Sequence, residues 1–179
     1  MKVIKVLLGI AGVALLAAVV VLFAAPTHLH MERTITIHAP QATVWQHIVL
    51  FKNFNQWNAW GKLDSAAQYT ITGQDGTVGA VDSWQGEKVG EGRLEHLQLE
   101  PYKKVQQKLS FAGPSKSTAD VFFHLKEDKG QTVVTWGVDS DFPRPLNVIS
   151  LLLRGSLERD YDAGLAALKK QAEADTMQY

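Results

Sequence analysis

The chain carries four successive patterns of apolar positions: an unbroken run, a short helical period, a period of two, and a long helical period. From Val6 to Ala25 no charged or strongly polar side chain interrupts the run. A helix of about twenty residues rises roughly 30 Å, the thickness of a bilayer's hydrocarbon core. Pro26 stops it, since its ring and missing N–H cannot extend the ladder. Residues 33–38, RTITIH, alternate β-branched with polar side chains and predict a strand. Pro40 then suits the first turn of a helix on which Val44, Ile48 and Phe51 share a face, with Trp45 beside them. This helix is expected to stutter near Asn53 and to end by Asn58, with Gly61 as a breaker.

From residue 68 to 142 the period is two. Strands are predicted over 68–73, 79–85, 91–99, 105–111, 118–126 and 132–141. The turn signals GQDGTVG, GEKVG, EPYKK, GPSK and EDKGQ separate them, and such short loops imply an antiparallel meander. The chain closes on a long helix over 145–174, with Ile149, Leu153, Leu157, Tyr161, Leu165, Leu168 and Ala172 along one side. Gly155 marks a kink or a late start in it. The order strand, broken helix, six strands, long helix predicts an α+β fold: one curved antiparallel sheet wrapped around the last helix, with a cavity between them.

A retained anchor explains the first 25 residues better than a cleaved signal. The run exceeds the roughly 7–15 apolar residues of a signal peptide, and cleavage after Ala25 would put Phe23 where a small residue belongs. The expected divisions are an anchor over 1–25, a tether over 26–31, a ligand-binding domain over 32–174 and a tail over 175–179. Lys2 and Lys5 precede the run, and the next basic residues are Arg33 and Lys52. The positive-inside bias therefore predicts a cytoplasmic N-terminus and an exported, periplasmic-side domain.

Setting aside the two anchor lysines from 18 basic side chains leaves 16 against 18 acidic ones, which is no nucleic-acid surface. The absence of cysteine excludes disulfides, thiolate metal sites and a cysteine nucleophile. His28-x-His30 lacks a third ligand nearby, so no metal or cofactor is expected. No G-x-S-x-G, phosphate loop or H-E-x-x-H occurs. Glu91 and Arg93 share strand parity: they would orient a ligand head group if their face lined the cavity, and form a surface pair if it met water. Trp84 and Trp136 lie in strands. The parity of Val134, Trp136 and Val138, of Val121, Phe123 and Leu125, and of Val105, Leu109 and Phe111 marks inner, core-forming faces.

ERTITIHAPQATVWQHIVLFKNFNQWNAW, GTVGAVDSWQGEKVGEGRLE, TVVTWGVD and DYDAGLAALKK, in this order, resemble the polyketide-cyclase-like branch of the START/SRPBCC superfamily. The likeness spans residues 32–171 and implies the helix-grip fold and a pocket for a hydrophobic small molecule or lipid. An N-terminal membrane helix is common in that branch. The resemblance places the W-x-x-W element, Trp57 and Trp60, where the short helices meet the open end of the sheet. There they cap the core or line the cavity mouth. A membrane surface is the third place left open for them. Gly61-Lys62 stands where such proteins often carry a proline, so the loop over the mouth is expected to differ.

The expected ligand-binding set is Trp57, Trp60, Tyr69, Trp84, Glu91, Arg93, Phe111, Phe123, Trp136, Tyr161 and Leu165. No catalytic residue is assigned. Tyr69, Tyr161 and Asp82 are the acid–base groups on which catalysis would draw. The leading expectation is a membrane-tethered, non-catalytic binder of a hydrophobic small molecule or lipid, without nucleic-acid partners. Its rivals are a cyclase/dehydratase-like enzyme using the same cavity, and an interaction module whose cavity is filled by its own side chains.

Overall fold

The computed structural model describes residues 2–64, 66–112 and 117–177. Helix α1, Lys2–Ala24, exposes its apolar surface and is the one described helix long and apolar enough to cross a membrane. Strand β1, His28–Ile37, follows after only three residues. It starts five residues earlier than alternation suggests and takes in HLHM, because that stretch pairs with the end of the last strand, from His28 opposite Asp141 onward. Helices α2, Gln41–Val49, and α3, Phe51–Trp57, break at Leu50, and a single 3-10 turn, Trp60–Lys62, comes next.

The meander is β2, Gln68–Thr72; β3, Val81–Gly86; β4, Gly90–Glu100; β5, Lys104–Phe111; β6, Ser117–Asp128; and β7, Gln131–Asp141. All pairings are antiparallel in the order β1-β7-β6-β5-β4-β3-β2, so β1 completes the sheet on the far side of β7. Lys129 and Gly130 form the two-residue turn between β6 and β7 with φ of 52° and 80°, the left-handed pair that a tight hairpin needs. A bulge between His96 and Gln98 bends β4. The turn expected at 113–116 and the last two residues of the tail lie outside the described residues.

Helix α4, Val148–Thr176, runs unbroken through Gly155. It lies along β1 in the same direction: Arg33 holds Asp162 at 2.7 and 2.6 Å, Lys169 donates to the Thr36 carbonyl, and the His38 N–H donates to Glu173. Its apolar stripe is buried at Tyr161, Leu165, Leu168 and Ala172, against Trp57, Phe123, Val134 and Trp136 in one core. Ile149 and Leu153 belong to the same stripe but stay exposed, because the first turns of α4 stand beside the end of α1 instead of over the sheet.

Candidate functional site

The W-x-x-W element is set by its polar neighbours. Trp57 ends α3 fully buried, and its indole N–H donates to the His47 carbonyl at 2.8 Å, which satisfies the one polar group of the ring. The Asn58 side chain is wedged beneath the next turn: its amide donates to Phe54 O, and its oxygen accepts the Gly61 N–H at 2.7 Å. A β-carbon on Gly61 would lie 2.9 Å from the Asn55 carbonyl, so only glycine lets the turn close this tightly. Trp60 is thereby aimed back over Trp136 and Tyr161, each 5.8 Å away between ring centroids.

These rings make a continuous aromatic plug. Trp136 stacks on Tyr161 at 3.9 Å and on Phe123 at 5.1 Å, and Trp57 meets its edge at 5.3 Å. Phe54 closes the side with an edge contact to Trp57 at 4.9 Å. Above them α4 approaches through Gly164, where an added β-carbon would sit 2.9 Å from the Trp136 ring. The middle of the space between sheet and α4 is thus occupied by the protein's own side chains. The Trp136 indole N–H has no partner among the described residues, and burial pushes the Tyr161 phenol pKa far up, so this hydroxyl stays protonated.

The edge of the plug is polar. Asn55 on α3 donates to Asp82 Oδ2 on β3 at 2.8 Å. Asp82 is 2% exposed, and its second oxygen, Oδ1, has no partner among the described residues. Burial pushes its carboxyl up to about 6, against the opposing effect of the Asn55 hydrogen bond. Tyr69, on the same inner face of the adjacent strand, is raised by burial and then by the charges of Asp82 and Asp64. Asp64 itself is held low by the Lys88 and Ala66 N–H groups it accepts, a structural clamp on the β3–β4 turn. His96 is buried under Phe51 with ring centroids 4.2 Å apart, its Nε2 is 2.8 Å from the Val49 carbonyl, and burial lowers its pKa.

Beyond Asp82 the inner face loses its cover. Tyr69 and Trp84 are half-buried and Phe111 is 41% exposed, with Trp84 and Phe111 in edge contact at 5.9 Å. Trp84 lies flat over Gly92, which leaves no room there for a β-carbon. The opposite face of these strands carries an open groove of about 600 Å³. Its walls follow from register: Thr70, Ser83, Arg93, Ser110 and Thr118 form one cross-strand row, and Gln68, Gln85 and Glu91 the next. On this outer surface Arg93 stands 3.8 Å from Glu95, and Trp84, Gly92 and Phe111 also border the groove.

The structure therefore sorts the eleven expected residues into three groups. Trp57, Trp60, Phe123, Trp136, Tyr161 and Leu165 converge in the plug. Tyr69, Trp84 and Phe111 make the partly open inner strip. Glu91 and Arg93 share a face, as their parity predicts, and it is the outer one. Sequence reasoning missed Asn55; its only signal is that it stands three residues before Asn58 in an otherwise aromatic stretch. His28 and His30 face Asp141 and Asp139 across β1 and β7 at 2.8 and 2.7 Å. Among the described residues no three such side chains gather as a metal site would.

A seven-stranded antiparallel sheet gripping one long helix, with the short helices closing one end, defines a helix-grip domain of the ligand-binding kind. The chain belongs to the family described as polyketide cyclase / dehydrase and lipid transport, which matches residues 28–173. Solved structures share the fold at low identity. Ara h 8.0201 superposes with a TM-score of 0.59 at 13% identity, over 82% of this chain and 99% of its own. A protein of Nitrosospira multiformis gives 0.60 at 18%, over 83% and 99%. DynU16, from the dynemicin biosynthetic locus, gives 0.55 at 20%, over 82% of this chain and 48% of its own. No curated protein matches the sequence.

Proposed function

We propose that this chain is a membrane-anchored domain that holds a hydrophobic small molecule or lipid against the partly open inner strip of Tyr69, Trp84 and Phe111. One observation carries the reading: a strip of incompletely covered aromatic surface ends beside Asp82, whose Oδ1 is buried without a hydrogen-bond partner. Exposed aromatic surface on an inner sheet face favours an apolar body, and an unsatisfied buried acceptor favours a donor such as a hydroxyl at one end of it. The aromatic plug forms the floor of this site, which lies at the β2–β5 end and not beneath the middle of α4. The apolar α1 supports the tether, and Lys2 and Lys5 before it support an exported domain. A tether suits such cargo by keeping the site close to where apolar molecules dissolve.

The test is mass spectrometry of an organic extract from residues 27–179 purified from the exported fraction of the host. A stoichiometric lipid-sized species that disappears in Trp84→Ala is the expected result. An empty extract, together with no uptake of fluorescent acyl probes, would sink the binding reading.

A second reading has its own observation. A carboxyl at about 6 beside a tyrosine is poised for general acid–base work near neutral pH, as a cyclase or dehydratase would require. It would express itself as turnover that depends on a group near pH 6 and vanishes in Asp82→Asn.

A further inference from the structure

Among the described residues the first turns of α4 form an apolar surface without a protein partner, and they are fastened to the end of α1. Arg144 donates to the Phe23 carbonyl at 3.2 Å and lies over the Phe23 ring at 5.6 Å. Asn147, itself buried, donates to the carbonyls of Leu22 and Ala25 at 2.8 and 2.9 Å, and the Ser150 hydroxyl donates to Pro26 O at 3.4 Å. The Leu22 and Phe23 carbonyls are among those that the last turn of α1 leaves open, and Ala25 and Pro26 follow it directly, so the start of α4 caps α1 from outside. From this junction Leu146, Ile149, Leu151, Leu152 and Leu153 stay exposed, Leu151 at 52% and Leu152 at 80%.

We propose that this surface, Leu146 to Leu153, is a second membrane contact that dips into the lipid headgroup layer beside α1. The inference rests on the reading of α1 as a membrane span. Its occupant is the bilayer, because the hydrogen bonds at the end of α1 place these turns where the span leaves the hydrocarbon. Ser150 is level with Pro26, and α4 runs away from there along β1. Leu153, three residues on, lies at most about 4.5 Å beyond that level, the rise of three helical residues. The headgroup layer is roughly 5–7 Å thick on each side, so all five side chains fall within it. Apolar side chains of interfacial helices bury to about this depth. Arg144 and Arg154 bracket the patch; Arg154 reaches Glu158 through Nε at 3.3 Å and Arg144 reaches the Phe23 carbonyl, and the remaining N–H groups of each guanidinium suit lipid phosphates. Two points of attachment would fix the tilt of the domain, so that its inner strip keeps one orientation to the lipid surface.

The absence of cysteine makes the test clean. Single spin labels are placed through Leu152→Cys, Val13→Cys and Asp128→Cys in the full chain, reconstituted in vesicles of neutral and anionic phospholipid. Collision rates with oxygen, which concentrates in lipid, are compared with those of a water-soluble nickel chelate. Asp128 ends β6, beside the distant β6–β7 turn, and reports the aqueous level. The expected result is nickel access at position 152 several-fold below that at 128, with a rise in oxygen collisions, intermediate between 128 and 13. A water-exposed label at position 13 would overturn the span on which the inference rests. With position 13 in lipid, a label at 152 as accessible to nickel as that at 128 would overturn the second contact alone. Loss of nickel access without a gain in oxygen would mean that protein, such as a second copy of the chain, covers the patch, and would overturn the lipid contact too.

Discussion

The two halves of α4 present similar apolar side chains and meet opposite surroundings. In the second half Tyr161, Leu165, Leu168 and Ala172 are buried against the aromatic plug. In the first half Ile149, Leu151, Leu152 and Leu153 are exposed, although Ile149 and Leu153 continue the same stripe. An apolar stripe therefore identifies the face of a helix that avoids water, not the surface that covers it. The sheet covers one half. The other is left at the junction with α1.

That contrast can be broken by mutation. Trp136→Ala, in the centre of the plug, should cost about 3–5 kcal/mol in denaturant unfolding of residues 27–179, whereas Leu152→Ala should stay within about 0.5 kcal/mol. Equal effects would show that the halves are not different in kind.

Asp82 sharpens the comparison, because it brings a charge to the edge of the covered half. Its folded pKa of about 6 lies above the ordinary 3.8, so the native carboxyl keeps its proton where the unfolded one has lost it. The stability tied to this group is full below about pH 4 and is lost as the pH rises through 6. Asp82→Asn should remove that loss, raising stability at pH 7–8 by about 3 kcal/mol and leaving it nearly unchanged at pH 4, as read from denaturation midpoints across pH. A constant offset at all pH values would mean that the carboxyl is not the titrating group.

Smaller effects follow at the approach of α4 to the sheet. Gly164→Ala inserts a β-carbon against Trp136 and should cost about 1–3 kcal/mol, visible as a lower Tm, because the ring has packed neighbours on its other side. Gly155→Ala in the exposed half meets only the end of the Arg159 side chain and should be neutral or gain up to about 1 kcal/mol. The smallest change is expected on the outer groove. Arg93→Ala removes an exposed partner of Glu95 and should shift stability by less than about 0.5 kcal/mol without altering ligand uptake. Lost uptake in that variant would move the binding site to the outer face.

Much of the fold was legible because its signals are local. Alternation and turn glycines locate the predicted strands to within about two residues of those observed, and the stripe on α4 marks its core side. β1 is the exception: HLHM is strand only because β7 offers it a partner more than a hundred residues away. At the site, Trp57 and Trp60 stand out as two large side chains three apart in a polar stretch. The contact between Asn55 and Asp82 does not, since it joins residues 27 apart on a helix and a strand. Parity told that Glu91 and Arg93 share a face, but the side on which the helices pack is a tertiary fact.

The sequence by itself determined the apolar first helix, the α+β order, the antiparallel meander and the residues that must avoid water. Each of these depends on an unbroken apolar run or on periods of 2 or 3.6 residues, which a short window contains. Tertiary structure alone decided that five of the chain's aromatic rings gather around Trp136, that among the described residues Asp82 is left with an oxygen unpaired, and that the first turns of α4 lock onto the end of α1. These depend on which surfaces cover one another. Covering is set by packing between distant segments, and no local pattern encodes it.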